Sequence, residues 1–70
     1  MRKSQDIIRI SQHWSGKTYN VDLLSYMGRG EYMGVGKEFD VSIAVAKASA
    51  ERLCNLYCAT LEEVEAAQDA

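Results

Sequence analysis

Apolar and polar residues alternate along the first half of the chain, and the period lengthens near residue 40. Ile7-Ile8-Arg9-Ile10-Ser11-Gln12-His13-Trp14 is rich in β-branched residues and reads as a strand, with Ile8 and Ile10 on one face. Ser15-Gly16-Lys17 is a turn signal. Tyr19-Asn20-Val21-Asp22-Leu23 then alternates with period two, so Tyr19, Val21 and Leu23 share a face. Gly28-Arg29-Gly30 is a second turn, and Tyr32-Met33-Gly34-Val35-Gly36-Lys37 reads as a third strand. Its two internal glycines predict a bulge or a close backbone approach. These segments predict strands near 6–14, 18–26 and 31–38.

From Phe39 onward the period is helical. Asp40 is placed to cap a helix over about 41–58, because its carboxylate can accept the unpaired N–H groups of the first turn. At 100° per residue, Ile43, Ala46, Ala50, Leu53, Cys54 and Tyr57 form one stripe, and the small Ala46 and Ala50 permit close approach to a sheet. The predicted core is Ile8, Ile10, Val21, Leu23, Ile43, Ala50, Leu53 and Tyr57. Thr60-Leu61-Glu62-Glu63 matches a capping box and predicts a short C-terminal helix. The expected fold is α+β: a three-stranded antiparallel sheet packed by one long helix (β-β-β-α), with a short acidic C-terminal helix or tail over 60–70.

The helix carries a second apolar stripe. Val41, Val45, Ala48 and Leu56 fall opposite Ile43 and Ala50, with Arg52 among them. One sheet cannot cover both sides of a helix. Either the C-terminal helix folds back over the stripe through Leu61, Val64 and Ala67, or the stripe is an interface with a second copy or another protein.

Composition narrows the function. Seventy residues and 7.8 kDa are read as a single domain, 1–70, hiding about 60% of its unfolded surface. The apolar fraction of 47% argues against a disordered chain. No apolar run approaches a membrane span, and Met1-Arg2-Lys3-Ser4-Gln5-Asp6 does not resemble a signal peptide. Two cysteines are too few for a disulfide scaffold, so the expected location is the cytoplasm. Residues 1–20 set Arg2, Lys3, Arg9 and Lys17 against Asp6, while 51–70 set Arg52 against Glu51, Glu62, Glu63, Glu65 and Asp69. With a net charge of −2, the chain lacks the basic surplus of a polyanion binder.

Candidate chemistry is sparse. Cys54 and Cys58 stand four apart and could offer two thiolates to a metal, but a structural zinc wants four ligands. They are read as small core cysteines, and no metal or cofactor is expected. His13, the one histidine, lies between Ser11 and Ser15, an arrangement any polar strand can produce, so no catalytic residue is assigned and the chain is not expected to be an enzyme. The glycines lack the Lys-Ser/Thr that completes a phosphate loop.

Gly34-Val35-Gly36-Lys37 followed by the Ala-rich Ala46-Lys47-Ala48-Ser49-Ala50-Glu51-Arg52-Leu53 resembles the C-terminal half of a double-stranded-RNA-binding domain, across Tyr19 to Tyr57. The resemblance implies the β-β-β-α order and, as an alternative function, direct nucleic-acid binding. At the family's phosphate-gripping positions this chain has Lys37, Glu38, Phe39, Asp40 and Val41, one base and two acids. In size and acidity the chain is also similar to small phage-encoded inhibitors, anti-CRISPR proteins among them. That similarity implies a non-catalytic module of a phage or mobile element that occludes a host nucleic-acid-handling complex. Val41, Val45, Ala48, Arg52, Leu56, Glu62, Glu63 and Glu65 are the expected partner-binding residues.

Overall fold

In the computed structural model, residues 4–63 are described. Strands β1 (Ile7–Gln12), β2 (Tyr19–Gly28) and β3 (Glu31–Val41) are followed by helix α1 (Ile43–Tyr57) and strand β4 (Thr60–Glu63). The α+β class and the first three strands follow the alternation in the sequence. The sheet, however, is four-stranded and mixed, in the order β3-β2-β1-β4. β1–β2 and β2–β3 are antiparallel, and β4 lies parallel to β1.

The short helix expected from Thr60 is therefore a strand as far as Glu63, and residues 64–70 of that expectation lie outside the described residues. The reason is long-range. Without β4, β1 would be an outer strand with half its backbone groups unpaired. Thr60 and Leu61 instead align with Ile7 and Ile8, and Glu62 with Arg9. A parallel partner needs a crossover, and α1 supplies it between β3 and β4.

Ile8, Ile10 and Val21 are fully buried, and Leu23 nearly so, beneath Ala46, Ala50 and Leu53 of α1 and Ala59 beyond it. Spacings of three, four and seven from Ala46 set the buried helix face, and the alanines bring the backbone close to the sheet. Ser49 is the one buried polar residue described, and its hydroxyl donates to Glu38 Oε2 at 3.1 Å. Two expected core members differ. Ile43 is 40% exposed, because it opens the helix one turn before the first buried residue, and Tyr57 is half-buried against the core.

The helix begins later than the sequence suggests. Its cap is Ser42, whose hydroxyl accepts the Val45 N–H at 3.2 Å. Asp40 sits at φ 59° in β3 instead. Its N–H donates to Asn20 Oδ1 at 3.0 Å, and its carboxylate accepts from Thr18 Oγ1 at 2.5 Å. Gly34 and Gly36 are themselves regularly paired, and the bulge lies just after them: Lys37 is an extra residue where Val21 faces Glu38 and Asp22 faces Gly36. A second irregularity sets Phe39 and Asp40 against Asn20 alone. At the other end of α1, Ser4 closes the helix, its N–H reaching Cys58 O at 2.8 Å and its hydroxyl Tyr57 O at 2.9 Å.

Candidate functional site

The pairing register divides the side chains between two faces. Ile8, Ile10, Val21 and Leu23 face α1, so Val35, opposite Leu23, and Met33, opposite Ser25, stand on the same side. α1 itself has two flanks. The Ser49–Glu38 hydrogen bond turns one flank toward β3, and the 3.8 Å pair of Lys47 with Glu63 turns the other toward β4. Val45, Arg52 and Leu56 stand on the Ser49 flank at helical spacing, with Ala48 beside them. Val45 is 48% exposed and Leu56 69%, and Ala48 and Arg52 are exposed too. Val41 does not belong to this flank. It lies in β3, half-buried against the core, because the helix starts two residues after it.

The expected cover for this flank is not provided by Leu61. That residue is in β4, level with Ile8, on the far side of β1 from β2 and β3. Val64 and Ala67 lie outside the described residues. The acidic residues separate as well. Glu62 accepts from Arg9 Nε at 2.6 Å, and Glu63 approaches Lys47, which fixes both on the β4 side, away from the Val45–Leu56 flank. Glu65 lies outside the described residues.

The opposite face of the sheet gathers aromatic residues that the sequence reading did not assign to a site. Trp14 is 89% exposed, and its ring centroid lies 5.2 Å from that of His13. Phe39 is 68% exposed, edge-on to His13 at 6.4 Å. The phenyl Cζ stands 4.0 Å from the place a Cβ on Gly36 would occupy, an ordinary contact distance, so the ring lies over Gly36 without requiring a glycine there. Farther along this face, Tyr26 and Tyr32 meet edge-on at 5.2 Å. The bulge at Lys37 shifts the alternation of β3 and turns Phe39 to this side. Gly36 was the available signal for that shift.

His13 Nδ1 pairs with the amide oxygen of Asn20 at 2.9 Å, and Ser15 Oγ pairs with Thr18 Oγ1 at 3.1 Å. The imidazole thus meets an amide oxygen, and the Ser15 hydroxyl meets that of Thr18, which itself donates to the Asp40 carboxylate at 2.5 Å. Cys58 caps the end of α1 in the left-handed conformation, its N–H donating to Cys54 O. Among the described residues no group of three or more His, Cys, Asp or Glu could hold a metal ion. None of their helices is long and apolar enough to cross a membrane.

The chain matches no protein family, no curated protein and no solved structure. The residues alone therefore carry the functional reading. Of the expected partner-binding set, the fold brings together Val45, Ala48, Arg52 and Leu56, and it separates them from Val41, Glu62 and Glu63.

Proposed function

We infer that this protein is a non-catalytic binding module whose target is another protein, and that the Val45–Leu56 flank of α1 is its contact surface. The observation that supports this is the exposure of Val45 and Leu56 beside Arg52, on a flank that β4 leaves open. Apolar area left in water forgoes about 25 cal/mol per Å². Surfaces of this kind commonly mark interaction sites, and Arg is enriched among the residues that dominate binding energy. The net charge of −2 favours a basic protein surface over a polyanion. Occlusion of a larger cytoplasmic nucleic-acid-handling protein, in the manner of anti-CRISPR proteins, is the form of binding we propose.

The test is Val45→Glu, compared with the wild type in capture of partners from a host lysate, with circular dichroism to check folding. The substituted protein should keep its spectrum and lose the partner. A folded Val45→Glu protein that retains the same partner would sink this reading, as would loss of the folded state, which would make Val45 core. Firm retention of the wild type on immobilised double-stranded RNA at moderate salt would favour direct nucleic-acid binding instead.

A further inference from the structure

β3 is an outer strand of the sheet, and its pairing with β2 is regular only from Tyr32 to Gly36. The segment Tyr32-Met33-Gly34-Val35-Gly36 has no charge and is exposed throughout. Such an edge offers a row of backbone N–H and C=O groups to another strand. Natural edges are commonly blunted by a charged residue or a proline within the strand. Between Tyr32 and Gly36 there is neither; Glu31 and Lys37 flank the segment, both exposed, and Glu38 and Asp40 follow nearer the helix.

The order of residues says what fits this edge. We propose that β3 pairs antiparallel with β3 of a second copy, about a two-fold axis through Gly34. That axis falls at the centre of the regular stretch. It sets Gly34 opposite itself, Met33 opposite Val35, Tyr32 opposite Gly36, and Glu31 opposite Lys37. Directly opposed residues of an antiparallel pair share a face and interact. Two kinds of pair are complementary: two apolar side chains meet on the helix-facing side, and opposite charges meet at each end, while Tyr32 stands opposite Gly36 beside the Phe39 ring on the other side. An unrelated strand would have no need of this palindrome of chemistry. Lys37 is exposed; its ammonium lies 5.5 Å from the centroid of the Tyr57 ring and donates to the Tyr57 hydroxyl at 3.4 Å, a contact it would exchange for Glu31.

The arrangement closes on itself. The joined sheet would run through eight strands, β4-β1-β2-β3 and then the same four in reverse. Its two outer edges would be the short β4 strands, each bearing Glu62 and Glu63. These edges are only four residues long and carry charged side chains, which disfavours further strand addition, so pairing stops at two copies. This dimer is independent of the partner contact, and it leaves two copies of the Val45–Leu56 flank on the same side of one sheet.

Sedimentation velocity on the whole chain, reduced and over a concentration series, tests the register. The wild type should form dimers as concentration rises. Glu31→Lys opposes Lys37 with a like charge at both ends, and Lys37→Glu opposes Glu31 in the same way. Each should raise the dimer dissociation constant about tenfold. The Glu31→Lys/Lys37→Glu double substitution restores both pairs and should return the constant to near the wild-type value. Glu31→Lys alone decides the matter if Lys37→Glu disturbs Tyr57 and the dichroism. Val45→Glu should still dimerise, which separates this result from failure of the partner contact. A wild type that stays monomeric at about 1 mM would overturn the proposal. So would dimers indifferent to Glu31→Lys, a double substitution without rescue, or particles larger than dimers.

Discussion

Arg29 holds φ 59° at the first central position of the β2–β3 turn, with Gly30 following at 78°. Two positive values in succession give the turn whose twist matches the strands it joins, and its favoured first residue is Asn or Asp. An Arg there carries the Cβ–carbonyl crowding of the left-handed region with no local hydrogen bond to offset it. Arg29→Asn should therefore raise stability by about 0.5–1 kcal/mol, read as a higher midpoint in urea. Asp40 holds the same φ under different conditions, since Thr18 and Asn20 both bond it. A short polar side chain that suits a helix cap also suits a left-handed bulge. The residue type of Asp40 was thus legible in the sequence as a break in the strand, while the kind of break was not.

At the scale of elements, the start of α1 rests on Ser42 and its bond to the Val45 N–H. Ser42→Ala should cost about 1 kcal/mol, which chemical denaturation would measure directly. A cost near zero would return the capping role to Asp40. The strands and helix that alternate cleanly were readable because Ile8/Ile10 and Val21/Leu23 recur at period two and Ala46/Ala50/Leu53 at helical spacing. β4 was not readable in the same way. Thr60-Leu61-Glu62-Glu63 satisfies a helix-capping pattern as well as a short strand, and the choice is made by the free edge of β1. The outer flank of α1 was legible for the same reason as its inner face. The aromatic group of Trp14, His13 and Phe39 depends on a bulge that shifts the alternation, and no local period announces it.

For the whole molecule, the sheet combines very near and very distant pairings. β2 and β3 are joined by a two-residue turn, whereas Arg9 and Glu62 meet across a separation of 53 residues. Closing a longer loop costs more entropy, so distant pairs form later. Pulsed hydrogen exchange during refolding should find the β2–β3 amides protected before those of β4; simultaneous protection would contradict this order. The same topology has a consequence for synthesis on the ribosome. β1 leaves the exit tunnel before β2 and gains it soon after, yet its other edge stays bare until residues 60–63 have also emerged. Throughout that interval Ile7–Gln12 is a half-paired, β-branched strand that any passing chain could extend. A nascent chain stalled before Thr60 would therefore present its most aggregation-prone edge at the moment when it could least repair it.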